Sequence, residues 1–501
     1  MAHHHPTRVS SHLRRMSALA AAGALALVAS ASGGALASTE SSPDTVDAKV
    51  KLTKVSHDPY TNTNAYHQTE LEPDTYAFGD TIVAVFQTGR FTDGGSSNTG
   101  YATSTDGGAT WTHGFMPKTT IYADPPGPYP RISDPSIAYD AKHDVWIANS
   151  LIVGGSNPLV INRSVDGGVT FKSLKVVSST GSSYDKNWIA CDTWSSSPHY
   201  GNCYTEWDDA GTGATLLMST STDGGLTWGP PLSPAGEPGG LGGQPVVQPN
   251  GNVVVPYEAA SMEAFRSVDG GATWTSPTTI SSITDHAVNG FLRTSPLPSA
   301  EVAGDGRVYV AWQDCRFRSG CTSNDIVMSS SLDGVSWSAV IRIPIDPTTS
   351  SVDHFIPGLA VDRNTAGSET HLALGYYYYP VSDCTSDTCR LILGFVSSLD
   401  AGATWTPPAQ VTAPMPLSWL ADTTQGRMVG DYMSTSFTAD GKAHPLFAIA
   451  KPPTGDVFSE RAATATFDPT APQVSPRVRA GRERPVYRGH DRRGFKVPRA
   501  Y

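Results

Sequence analysis

One short motif occurs six times in this chain and constrains its fold more than any other feature: Ser104–Trp111, Ser164–Phe171, Ser221–Trp228, Ser267–Trp274, Ser331–Trp337 and Ser398–Trp405. Each copy reads Ser-x-Asp, then small residues, and closes on Trp or Phe. The aspartates Asp106, Asp166, Asp223, Asp269, Asp333 and Asp400 follow one another at 60, 57, 46, 64 and 67 residues. Recurrence at such intervals marks repeated supersecondary units. A polar, Gly-rich turn between two short β-type runs is hairpin chemistry. The carboxylate can accept hydrogen bonds from its own turn, the Gly two residues on tolerates positive φ, and the closing aromatic packs between neighbouring units. Six near-identical copies cannot all be one active site, so these aspartates are read as scaffold.

A second, looser repeat lies upstream of each box: a polar residue, often followed by Pro, then two apolar strands joined by a turn. Seven such units begin at Glu72-Pro-Asp74, Asp134-Pro-Ser136, Asp185-Lys-Asn-Trp188, Gly243-Gln-Pro245, Arg293-Thr-Ser-Pro296, His354-Phe-Ile-Pro357 and Gly430-Asp-Tyr432. Pro suits the first position of a strand. Second strands are expected near Thr81–Phe86, Val253–Tyr257 and Val308–Trp312. The last unit has strands near 445–450 and 456–461 but no box, and Val50–Val55 is expected to supply its fourth strand, so that the chain ends close a ring without an open edge. The expectation is an all-β, seven-bladed propeller of four-stranded antiparallel blades, or a six-bladed one if an early unit is an elaborated loop.

Composition agrees. Gly 48 and Pro 38 suit a turn-dense chain, and only 16% of residues are charged. Residues 1–37 carry Arg8, Arg14 and Arg15, a small-residue apolar run from Ala18 to Ala31, and Ala35-Leu-Ala37 as a cleavage site, which reads as an export signal rather than a membrane anchor. The expected division is signal 1–37, linker 38–48, propeller 49–468 and a basic tail 469–501 with too little apolar content to fold. Six cysteines fall into close pairs, Cys191/Cys203, Cys315/Cys321 and Cys384/Cys389, read as three local disulfides of a secreted protein. No Cys-x-x-Cys or paired His supports zinc. Of the net charge of −11, the two termini hold +3 and +7, which leaves −21 on residues 38–468. So acidic a body disfavours nucleic acid. No cofactor or metal is expected, although a structural calcium would suit the acidic surface, and the chain is expected to be a monomer.

The box array is the Asp-box, or bacterial neuraminidase repeat, and over about residues 70–410 the chain resembles the sialidase (neuraminidase) superfamily of β-propellers. The resemblance implies boxes on the blade rims, away from the substrate funnel. Asp431-Tyr-Met-Ser-Thr-Ser-Phe-Thr-Ala-Asp-Gly441 is similar to the family's Tyr-Ser-Ser-Leu segment and Asp-Gly turn, which implies Tyr432 as nucleophile with Glu258 or Glu206 as its base, since a tyrosine near pKa ~10 needs a carboxylate to take its proton. Pro130-Arg131-Ile132-Ser133 partly matches the Arg-Ile-Pro motif, with Ser in place of Pro. Arg131, Arg293, Arg316 and Arg427 are the candidates for a carboxylate-binding arginine clamp, and Asp134 for the general acid, although no clear Arg-x-Asp supplies it.

Topology offers a second route to the site. The innermost strand of each blade starts at the channel mouth, so Glu72, Asp74, Asp134, Asp185, Lys186, Gln244, Arg293, His354, Asp431 and Tyr432 are expected to converge there. Among aromatics, Trp194 in the Cys191/Cys203 loop is the best candidate for exposure, and at least two of Tyr376–Tyr379 should pack between blades. Three functions fit: a sialidase-like glycoside hydrolase acting on glycans at the channel mouth, a non-catalytic glycan-binding or adhesion propeller, or a polysaccharide lyase with His354 as base. An enzyme should join Tyr432 to a Glu near two arginines, a lyase should face His354 into a basic cleft, and a binding module should show exposed aromatics without such pairs.

Overall fold

In the computed structural model, residues 50–154, 157–181 and 183–471 are described. The expected signal, linker and nearly all of the basic tail lie outside them. The described chain is all-β apart from four single-turn 3₁₀ segments, and none of its helices is long and apolar enough to cross a membrane.

The strands form a β-propeller of antiparallel up-and-down sheets. Five separate sheets hold three to five strands each. Strands 70–78, 81–90, 96–104 and 112–115 join strands 131–140, 145–153, 159–164 and 173–178 in one eight-stranded sheet through a single residue pair, Ser96 with Ile132. Seven separate blades are therefore not what the pairing gives. Alternation of apolar and small residues lets each sheet bury both faces: Ile82–Phe86, Val253–Val255 and Val308–Trp312 are almost wholly inaccessible. The expected second strands run longer, over Thr81–Arg90, Val253–Glu258 and Val308–Asp314.

The closing sheet has the order Thr53–Lys54, Glu460–Thr464, Ala443–Ala450, Ser434–Phe437. Its outermost strand comes from the beginning of the described chain, with Thr53 opposite Thr464 and Val55 buried beside Ala462. This pairing leaves no long unpaired edge on that sheet.

Each box is a hydrogen-bonded turn. In the first, Ser104 Oγ donates to Asp106 Oδ1 at 2.7 Å, Thr110 N donates to the same oxygen at 2.8 Å and Thr110 Oγ1 to Oδ2 at 2.6 Å. The other five repeat the Ser-to-Asp bond. Gly107 N reaches Asp80 O at 2.9 Å, so the box lies at the end of the blade where the innermost strand finishes. Each closing aromatic is at least half-buried against a sheet core.

The cysteines pair as their spacing predicts. Cys191 is bonded to Cys203, Cys315 to Cys321 and Cys384 to Cys389, with no free cysteine among the described residues. The first bond joins two directly paired strand positions, whereas the other two close short loops. Cys321 ends the single turn Ser319–Cys321 at a positive φ of 53°. Cys389 is buried in the core beside Leu391 and Leu417, and its N–H donates to Thr385 O at 2.8 Å. Both bonds therefore hold loops in place.

The prolines of the unit starts are not first in their strands. In four innermost strands the residue at or before the proline position occupies a β-bulge with positive φ: Glu72 at 55°, Asp134 at 48°, Lys186 at 45° and Ile356 at 49°. Bulges re-aim a side chain where a regular pleat would send it into the sheet face. Here they turn three charged side chains toward the channel axis.

Candidate functional site

The mouth where the innermost strands begin is filled by one charged network. Lys186 Nζ lies 3.4 Å from Glu72 Oε1 and 3.7 Å from Asp431 Oδ2. Arg293 grips Asp431 with two parallel bonds, Nε to Oδ1 at 2.8 Å and Nη2 to Oδ2. Gln87 donates to Glu72 Oε2 and, at 3.2 Å, to Ser133 Oγ, while Arg90 Nη1 donates to Gln87 Oε1 at 2.9 Å. The backbone closes around it: Asp431 N reaches Glu72 Oε1 at 3.3 Å. Gly430 has φ 134°, and a Cβ there would lie 2.7 Å from Glu72 Cα, so only glycine permits this approach. A short hairpin, Ala421–Thr423 with Gly426–Met428, holds the Phe291–Arg293 segment through Arg293 N to Arg427 O at 2.8 Å and Arg427 N to Phe291 O at 2.7 Å.

The environments divide the acids. Burial, and next the charge of Asp134, push Glu72 up to about 7 even with Lys186 beside it. Burial likewise raises Asp134. Burial acts upward on Asp431 too, but Lys186 and Arg293 outweigh it and hold Asp431 below the ordinary carboxylate range. Lys186 is raised because Glu72, Asp431 and Asp134 outweigh its burial. At neutral pH Asp431 is therefore ionised while Glu72 is partly protonated, a separation of two neighbouring carboxyls of the kind that suits acid and base roles.

Tyr432 lies against this network but not as a nucleophile with a base. Its hydroxyl donates to Pro135 O at 3.0 Å, Lys186 Nζ stands 3.9 Å over its ring, and Trp188 meets it edge-on at 5.0 Å. Burial, then the nearby acids Glu72 and Asp134, raise its pKa well above the usual value. Neither expected base reaches it. Glu206 is enclosed next to Gly243, both oxygens lack a hydrogen-bond partner, and burial, then the nearby Asp208, raise its pKa well above the ordinary carboxylate value. Glu258 is raised to about 7 by burial and by Asp285, and Leu241 is its bridge partner.

The arginine clamp is also not assembled. Of its four candidates only Arg293 reaches the network; Arg131 pairs with Asp93 at 2.5 Å, Arg316 with Asp314 at 2.7 Å and Arg427 with Asp422 at 3.7 Å. Each guanidinium is engaged away from the network. Gln244 spends its Oε1 on Ala300 N at 2.9 Å, joining neighbouring sheets. Asp185 is exposed outside the network. His354 is 1% exposed, bonded to Asn324 O at 3.2 Å and lowered by burial, so no basic cleft lies before it. Trp194 is half-buried, with its indole N–H on Val247 O at 2.7 Å. Of Tyr376–Tyr379, only Tyr378 escapes full burial. Phe291, 83% exposed and two residues before Arg293, is the exposed aromatic of the rim.

Arg90, Gln87 and Ser133 were not singled out by sequence. Arg90 and Gln87 end a second strand, and only the blade geometry brings that end over the mouth. Among the described residues Asp325, Asp346 and His354 bring metal-type ligand atoms within 4.8 Å, but Arg318 and Arg342 already pair with both carboxylates. All four contacts go to the Oδ1 atoms and leave both Oδ2 atoms without a partner, but two guanidinium charges on the pair already balance the carboxylates, so the set does not fit a calcium ion.

Below the network a narrow cleft is lined by Lys186, Trp188, Gln244, Ser295, Asp431 and Tyr432. Of the two central carboxyls, Asp431 faces this cleft and Glu72 lies behind Lys186. Neither Cys321 nor Cys389 lines it, which keeps those disulfides structural rather than part of the site.

No protein-family model matches the chain, and no curated protein matches it. Among solved structures it is similar to a protein of unknown function from Dyadobacter fermentans, at 16% identity over 70% of this chain and 99% of that one, with a TM-score of 0.44. It is also similar to the NanB sialidase from Streptococcus pneumoniae, at 14% identity over 84% of this chain and 70% of that one, TM-score 0.43. A third is the intramolecular trans-sialidase from Ruminococcus gnavus, at 13% identity over 83% of this chain and all of that one, TM-score 0.41.

Proposed function

We propose that this chain is an exported, sialidase-like propeller that acts on glycans at the mouth where its innermost strands begin, and that its chemistry is glycosidic bond hydrolysis by a carboxyl pair rather than by Tyr432. The reading rests on one observation: Lys186 stands between Asp431 and Glu72, at 3.7 and 3.4 Å; their surroundings push the two carboxyls in opposite directions, Glu72 up through burial and Asp431 down through Lys186 and Arg293. Their oxygens are then at most about 7 Å apart, an upper limit that leaves room for the ~5–5.5 Å spacing at which paired carboxyls cleave glycosides with retention. Asp431, ionised and facing the cleft, is the base or nucleophile. Lys186 and Arg293 fix its charge, and Glu72 holds the proton that the leaving oxygen requires. The ring counts seven blades in this reading, because one residue pair is all that fuses the first two units.

A second reading, glycan binding without catalysis, is favoured by a separate observation. Glu72 is 1% exposed and already engaged by Gln87 and Lys186, while Phe291 offers an exposed ring at the rim.

The test is turnover of a panel of fluorogenic glycosides, α-sialoside included, by the wild type, Asp431→Asn and Tyr432→Phe. Loss of at least 100-fold in Asp431→Asn with Tyr432→Phe active supports the carboxyl pair. Loss in Tyr432→Phe alone restores the tyrosine mechanism and refutes the proposal. No turnover by folded wild type, with glycan retained on an array, leaves the binding reading.

A further inference from the structure

A larger cavity opens at the other end of the channel. It is lined by the later halves of the same innermost strands, including Asp74–Ala77 and Glu301, and by Arg363 just past one of them, on the side where the boxes lie. Its volume is about 100 Å³, room for roughly seven waters or one small ring at ~10–15 Å³ per water.

Three observations mark it as built for a ligand. First, Arg363 has no carboxylate within ion-pair distance among the described residues, in contrast to Arg293 at the mouth. Its Nη1 donates to neutral groups, Tyr76 OH at 3.3 Å and Thr193 Oγ1, and its Cζ lies 4.1 Å over the Trp194 ring. The guanidinium is thus fixed by one nitrogen and one aromatic face, with Nε and Nη2 left to donate. Second, the Glu301 carboxyl also lines the cavity and has no hydrogen-bond partner among the described residues. Third, Trp188, Tyr76 and Phe437 supply aromatic wall.

We propose that this cavity binds a carboxylate-bearing ligand about one sugar ring in size, with Arg363 forking the carboxylate, the Glu301 carboxyl donating a hydrogen bond to it, and the aromatic wall covering the ring. A planar guanidinium with two free N–H groups matches a carboxylate bidentately. A protonated carboxyl is a donor as well as an acceptor. Burial, and next Asp74, raise Glu301 to about 8 although Arg363 acts downward, so it carries its proton at neutral pH. The groups that face it are Asp74 and Tyr76 on one innermost strand and Arg363 just beyond the end of another, Asp353–Val361; Tyr309 is its pairing partner. Asp74 accepts from Thr75 N and Ile137 N, each at 2.8 Å, and burial raises it to about 7. The proposal does not depend on chemistry at the mouth.

Calorimetric titration of the intact chain with D-glucuronate, a glucuronate-terminated disaccharide and D-glucose tests it. Saturable binding of glucuronate without glucose is expected, and binding of the disaccharide would show that the acid is read at a glycan end rather than free. Arg363→Gln, checked for an unchanged melting temperature, should weaken glucuronate at least tenfold. Between pH 7 and 9 the protonated fraction of a group at about 8 falls about tenfold, so wild-type affinity should fall by a similar factor. Glu301→Gln, which stays a donor at every pH, should keep binding at pH 7 and lose most of that pH dependence. Equal binding of glucose, no binding of either acid, or an Arg363→Gln variant that binds as well as wild type would overturn the proposal.

Discussion

Replacing Lys186 by methionine removes the one positive charge that stands between Glu72 and Asp431 while keeping an unbranched stem. At an effective dielectric of ~20, contacts of 3.4 and 3.7 Å are each worth about 4.5–5 kcal/mol of gross attraction. The buried ammonium gives back several kcal/mol in lost hydration, and breaking one side of a buried pair typically leaves a net loss of about 3–5 kcal/mol. The loss depends on pH in a definite sense. Glu72 is raised from an ordinary 4.5 to about 7, so between these values the folded protein binds the extra proton and stability falls as pH rises. Below about pH 6 Glu72 is neutral, and the variant forfeits mainly the Asp431 contact, about 3 kcal/mol; Arg293 still supports that carboxylate. Above pH 8 Glu72 is charged too, and the loss should approach about 5 kcal/mol. Urea unfolding of both proteins at pH 5.5, 7 and 8.5 reads this directly. A deficit below about 1 kcal/mol, or one that does not grow with pH, would refute the view that Lys186 neutralises a charged pair.

Other consequences can be measured independently. Cys191→Ala with Cys203→Ala opens a 12-residue separation and should cost about 3 kcal/mol in denaturant unfolding. Asp106 and Asp333, each held at about 2 chiefly by hydrogen bonds from their own turns, should titrate near there by carboxyl NMR. Their support for folding is present above pH 4 and lost as pH falls through 2; normal values near 3.8 would contradict the turn geometry. Removing residues 1–55 strips the outer strand of the closing sheet together with buried Val55, and should lower stability by at least about 2 kcal/mol from the valine alone. Protease resistance at Glu460–Thr464 unchanged by that truncation would argue against closure by that strand.

The sequence determined what is local and repeated. The Ser-x-Asp turns, the cysteine pairs and the closing strand near Val50–Val55 depend on residues close in sequence, or on an edge with a single complementary partner, and each was legible. Cys315 with Cys321 and Cys384 with Cys389 are the plainest cases, because so short a loop brings its two thiols together whatever the rest of the chain does. The polar openings of the units also pointed to Glu72, Asp134, Lys186, Arg293 and Asp431 as neighbours, because a radial repeat brings equivalent positions to one axis. Tertiary structure alone decided which of them carry charge and which face a cleft. The bulges at Glu72, Asp134 and Lys186 change the side to which a residue points, which period-two patterning cannot register. Arg131, Arg316 and Arg427 look equivalent to Arg293 in sequence, yet each is claimed by another acid: Arg316 and Arg427 by Asp314 and Asp422 close in sequence, Arg131 by Asp93 in a neighbouring turn. Glu206 and Glu258 look like free bases, yet Glu206 is enclosed without a hydrogen-bond partner and the Tyr432 hydroxyl is bonded to Pro135 O rather than to either. Proton affinity follows burial and the sum of neighbouring charges, both set by contacts between residues hundreds of positions apart, as when Tyr432 reaches Pro135. That is why the propeller could be read from the chain while the chemistry of its channel required the folded molecule.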